Sequence, residues 1–99
     1  MDHMYIRHTV GGRLFLDTQK HSLHYSLQYV DGFWKFIIDL PAEELADALL
    51  ENRDELNIFV ISEDTRSKSW YYTREGLVKY DDANHKLVIL ADFKLDYPA

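Results

Sequence analysis

Cysteine is absent from the 99 residues. Its absence excludes a disulfide framework, a thiol nucleophile and a thiolate metal site. An excess of basic charge is missing too: 17 acids face 11 bases, for a net charge of −6. Nonspecific binding to nucleic acid or to an anionic membrane needs a basic face, so the composition argues against both. No apolar run approaches the ~18–20 residues of a membrane span. Glycine and proline are scarce, at four and two residues, and no repeat, linker or low-complexity stretch interrupts the chain. Met1, Asp2 and His3 are polar and lack the apolar stretch of a secretory signal, so a cytoplasmic location is expected. His3-Met4 is also the dipeptide that a common cloning site leaves. Met1 to His3 are either such a remnant, with the natural start at Met4, or the gene's own beginning, and they receive no functional weight.

What is present suits one folded domain over residues 1–99, with 46% hydrophobic and 28% charged residues. The clearest pattern runs from Leu23 to Leu40. Leu23, Tyr25, Leu27 and Tyr29 alternate with polar residues, which is the period of a strand. Asp31-Gly32 then signals a two-residue hairpin turn. Pairing across it sets Tyr29 against Trp34, Leu27 against Phe36, Tyr25 against Ile38 and Leu23 against Leu40. All eight are large and apolar on one face, and a one-residue slip would put that face in water. An earlier hairpin spans Met4 to Thr18 around Gly11-Gly12. A glycine-bulged loop pairing Ile6 with Leu16 and His8 with Leu14 collects its apolar residues on one side.

A helix follows, from Ala42 to about Glu55. Pro41 suits its first position, Glu43 and Glu44 complement its dipole, and no glycine or β-branched residue interrupts it. Leu45, Leu49 and Leu56 form its core stripe. Beyond it, Ile58–Ile61, Ser69–Thr73, Leu77–Tyr80 and a last strand from Leu87 to Leu95 read as strands, with Glu75-Gly76 and Asp81–His85 as turns. Val88 and Leu90 make the last strand apolar on both faces, as in a central or doubly covered strand. The fold expected is therefore α+β. Its antiparallel, strongly curved sheet or partly closed barrel has about seven or eight strands and one helix, in the order ββββ-α-βββ(β). The alternative is two small sheets with the helix at one edge. Tyr25, Leu27, Tyr29, Trp34, Phe36 and Ile38 are expected to form the core with Leu45 and Leu49.

No motif names a reaction, so no catalytic residue, cofactor or metal site is expected. His24 and Asp39 fall opposite each other, as in the orienting half of an acid–base device. No nucleophile but Ser26 is near, and an exposed cross-strand charge pair uses the same residues. His21 and His24 have a chelating spacing only on a helix, whereas on a strand they point to opposite faces. Gly11-Gly12 lies between strands, so no helix N-terminus follows it to hold phosphate. Trp70, Tyr71 and Tyr72 are consecutive and must point to both faces of a strand. They are either a two-sided core or anchors for a partner, since Trp and Tyr dominate binding hot spots.

The charge distribution says most. Asp39 to Asp64 hold nine acids and one base, Arg53, while the remainder holds eight acids and ten bases. Glu43, Glu44, Asp47, Glu51, Asp54 and Glu55 would share an arc of ~120° along ~18 Å of helix. Pairs such as Glu43–Asp47 and Asp47–Glu51 repel, each costing a few tenths of a kcal/mol. Either this is a solvated face or the negative surface has a use. The leading expectation is a small acidic module that inhibits or neutralises a basic protein, such as a nuclease or a nucleic-acid-binding protein. An immunity protein, an antitoxin or a phage anti-defence inhibitor acting as a nucleic-acid mimic would fit. Its contact residues would be Glu43, Glu44, Asp47, Glu51, Asp54 and Glu55 with Trp70, Tyr71 and Tyr72. The alternatives are a small-ligand domain with a pocket between sheet and helix, and a structural subunit of a larger assembly.

Overall fold

The computed structural model describes residues 3–41, 43–62, 64, 66–73 and 77–97. It is an α+β fold. Its elements are β1 (His3–His8), β2 (Leu14–Asp17), β3 (Tyr25–Val30), β4 (Phe33–Asp39), α1 (Glu43–Glu51), β5 (Leu56–Ile61), β6 (Lys68–Tyr72), β7 (Leu77–Asp81), β8 (Lys86–Ala91) and β9 (Phe93–Tyr97). They form two antiparallel sheets, one of five strands in the order β2-β1-β5-β6-β9 and one of four in the order β3-β4-β8-β7. Neither closes or curls strongly. The single curved sheet or partial barrel is thus corrected to two sheets, and the seven or eight strands to nine.

The two-residue turn holds the β3–β4 hairpin in its expected register, with Tyr25 opposite Ile38, Leu27 opposite Phe36 and Tyr29 opposite Trp34. Asp31 and Gly32 both carry the positive φ this turn requires. In the first hairpin Ile6 does pair with Leu16, but Leu14 pairs with Arg7 instead of His8. The register shifts between Ile6 and Arg7, and the extra residue on β2 lets both Phe15 and Leu16 be buried. His3 opens β1, and its ring bonds Asp17, so it has a structural place after all.

What covers the hairpin is the second sheet. Phe36 on β4 meets the edge of Tyr71 on β6, with ring centroids 5.0 Å apart at 86°, and Trp34 meets the same ring at 6.0 Å. Met4, Ile6, Leu56, Ile58 and Val60 from one sheet join Ile38, Leu87, Ile89 and Ala91 from the other in one core. The helix buries Ala46 and Leu49 and packs on β7 and β2, so it plugs an end of the sandwich instead of covering the hairpin. Tyr29 is also corrected: it lies near the hairpin tip, past the cover of Tyr71, and is 65% exposed.

The helix stops at Glu51, short of Glu55. The Asn52 side chain donates to the Ala48 carbonyl at 2.9 Å, and Glu55 N–H donates to the Asn52 carbonyl at 2.8 Å, closing a turn. Leu56 therefore begins β5 and is no part of a helical stripe. The expected last strand is two strands in different sheets, broken at Asp92. β6 and β7 likewise belong to different sheets and do not pair as a hairpin. The expected turn at Glu75-Gly76 and the expected helix start at Ala42 lie outside the described residues.

Phe36→Ala should cost about 3–5 kcal/mol, because it empties the middle of the inter-sheet contact. Tyr29→Ala should stay within about 1 kcal/mol of wild type, as an exposed position does. Urea melts of the two variants check the assignment.

Candidate protein-contact surface

Strand alternation gives the five-stranded sheet an outer face that neither the helix nor the other sheet covers, since both pack on its inner side. Register brings Tyr5, Phe59, Trp70 and Leu95 into one row and Arg7, Asn57, Tyr72 and Phe93 into the next. Trp70 is central. Its ring lies 5.3 Å from Phe93 and 6.1 Å from Tyr72, and its indole N–H donates to Asn57 Oδ1 at 2.9 Å. Tyr5 stacks on Phe59 at 5.1 Å. Lys68 sits 4.5 Å from the Phe59 ring centroid, and the Arg7 guanidinium 5.6 Å from that of Tyr5. These cations act within the face. The rings brace one another into a preformed platform. Leu95 and Tyr97 extend it at its margin, 42% and 43% exposed.

The aromatic triplet divides as strand geometry requires. Trp70 and Tyr72 face outward, while Tyr71 is 3% exposed and belongs to the core, so it is withdrawn as a contact residue. Burial pushes its hydroxyl pKa up, with the Lys94 charge opposing.

The acids do not form the continuous helical stripe expected. Glu43, Glu44, Asp47 and Glu51 are exposed on α1. Asp54 and Glu55 lie beyond its end, in the turn that enters β5. That turn borders the aromatic face: the Tyr72 hydroxyl donates to the Asp54 carbonyl at 3.2 Å, and buried Thr73 donates to the Arg53 carbonyl at 3.1 Å. The Glu55 carboxylate lies 2.8 Å from His8 Nε2. Sequence reasoning missed Tyr5, Phe59 and Phe93. Their outward alternation was readable, but their meeting on one face needed the β1-β5-β6-β9 order.

The chemical constellations come apart. Asp39 pairs with Lys86, and His24 meets Asp39 through its main-chain carbonyl, which accepts the Asp39 N–H at 2.9 Å. His24, Ser26 and Asp39 line a shallow groove of about 260 Å³, with no hydrogen bond among their side chains. A larger groove, of about 510 Å³, lies over Ile37, Val88 and Leu90. Both grooves are on the outer face of the four-stranded sheet, away from the expected place between sheet and helix. Among the described residues no three His, Asp or Glu side chains converge as metal ligands. Comparison with protein-family models, curated proteins and solved structures returned no match, so geometry alone carries the functional argument.

Asp17 ends β2 at the margin of the outer face. Burial raises its pKa, but N–H donation from Lys20, the His3 ring and Gln19 N–H together outweigh that and hold the carboxyl below its ordinary value. A pKa lowered by folding stabilises the fold above the unfolded value of about 4 and ceases to do so as pH falls through the folded one. Asp17→Asn should therefore cost about 1 kcal/mol or less at neutral pH, a cost that shrinks towards zero near pH 2–3. Urea melts of both proteins across that range measure it.

Proposed function

We propose that this chain is a small protein-binding module that inhibits or neutralises a basic partner, in the manner of an immunity protein, an antitoxin or a phage anti-defence inhibitor. The observation that carries the reading is the junction of Tyr72 with Asp54, which sets an acidic turn against the rim of an aromatic face whose rings are half-buried and which neither the helix nor the other sheet covers. An apolar, ring-rich centre with a charged rim is the anatomy of a protein contact surface. Trp70 and Tyr72 are its anchors. Asp54 and Glu55 form the near rim, and Glu43, Glu44, Asp47 and Glu51 extend the negative field that draws in a cationic partner. Such a field serves a nuclease or a nucleic-acid-binding protein as a substitute for phosphates. Action on a target of that kind places the protein in the cytoplasm, as part of the same proposal.

The test is capture from extract at low and moderate salt. Wild type should retain a basic protein whose binding weakens as salt rises. Trp70→Ala should weaken capture at least about tenfold at any salt, as loss of a hot spot does. Joint substitution of Glu44, Asp47, Glu51 and Asp54 by the corresponding amides should chiefly slow association and flatten the salt dependence. If wild type retains nothing that these variants lose, the reading fails.

A further inference from the structure

The two sheets have four edge strands, β2, β9, β3 and β7. Three are protected against further pairing. β2 is short, bulged and ends in Asp17. β9 carries Lys94 and Asp96. β7 carries Lys79 and Asp81 and lies beside the helix. Charges, bulges and covering elements are the usual devices that stop one sheet edge from adding to another. β3, Tyr-Ser-Leu-Gln-Tyr-Val, has no charge, no proline and an unbroken register over six residues.

The register also shows which main-chain groups face the open edge. Asp39 N–H bonds the His24 carbonyl, so residues 24, 26, 28 and 30 exchange hydrogen bonds with β4. Leu27 and Tyr29 alternate with them and direct their N–H and C=O groups away from the sheet. Beside these lie the exposed side chains of Tyr29 and Val30, at 65% and 38%.

We infer that β3 is a pairing edge for β3 of a second copy of this chain, joining two four-stranded sheets into one. Antiparallel pairing about a twofold axis at Gln28 sets Leu27 opposite the second copy's Tyr29, and their outward N–H and C=O groups bond reciprocally. The two Gln28 amides meet on the axis. Tyr29 gains an apolar neighbour that its own fold does not supply. The strand is its own complement in this register: it carries no charge to repel a second copy, and the antiparallel arrangement sets outward N–H groups against outward C=O groups. The aromatic face belongs to the other sheet, so this interface is independent of the partner proposed above.

Gln28→Glu separates the monomer from the pair. Within one copy the new carboxylate faces Lys35 across the β3–β4 ladder, which favours folding. On the axis two carboxylates meet. Sedimentation equilibrium from about 1 µM to about 1 mM should show wild type passing from monomer to dimer, the span over which a weak interface assembles. Amide exchange at Leu27 and Tyr29 should be at least about tenfold slower at the dimer-rich end than at the dilute end. Gln28→Glu should raise the dissociation constant about tenfold or more with an unchanged circular dichroism spectrum. A wild type that stays monomeric throughout overturns the inference and leaves the edge to a foreign strand. So does a dimer whose Leu27 and Tyr29 amides exchange alike at both concentrations, or one that Gln28→Glu leaves intact.

Discussion

The edge-to-face contact of Phe36 with Tyr71 is the point on which the two sheets turn. Each sheet has one apolar face that cannot be left in water, and each is the other's cover. Tyr71 projects from β6 between Phe36 and Trp34, so one ring from the five-stranded sheet seats against two from the four-stranded sheet. A ring pair of this geometry contributes about 0.5–1.5 kcal/mol beyond the area it buries. Its position matters more than that increment, because it sets which faces look inward and therefore which look out.

The outward faces follow from that choice. With Tyr71 turned in, its neighbours Trp70 and Tyr72 must turn out. Antiparallel register then gathers Tyr5, Phe59 and Phe93 around them. The same alternation directs Val88 and Leu90 to the outside of β8, where they floor an open groove. β8 is central within its sheet, yet among the described residues no element covers its outer face. Apolar residues on both faces of a strand thus mark a central strand here, without marking a layer on each side.

The helix has a smaller part than its leucines suggest. Nine residues long, it closes one end between β7 and β2 and delivers the chain from the four-stranded sheet to the five-stranded one. Its early end at Glu51 creates the turn that carries Asp54 and Glu55. Had it run on to Glu55, those acids would have stayed on the helix, apart from the border of the aromatic face. The lone unprotected edge has a similar origin. β3 sits outermost because β4 uses its other side to pair with β8, and β3 carries no charge of its own.

Local chemistry decided much on its own. The Asp31-Gly32 turn and the alternation around it determined the β3–β4 register, because a slip of one residue reverses every side chain. The acidic bias between Asp39 and Asp64, the helix after Pro41 and the opposed directions of Trp70 and Tyr71 were equally legible. These depend only on neighbours a few residues apart. Long-range pairing decided the rest. Periodicity says that a strand has an apolar face but not which strand lies beside it. The break at Asp92, the separation of β6 from β7 and the order β2-β1-β5-β6-β9 were therefore invisible in sequence. So were the aromatic platform, the exposure of Tyr29 and the charge-free edge, since each is a property of which strands are neighbours. An isolated strand pattern is compatible with many neighbours. Only simultaneous burial of all the apolar faces selects one set.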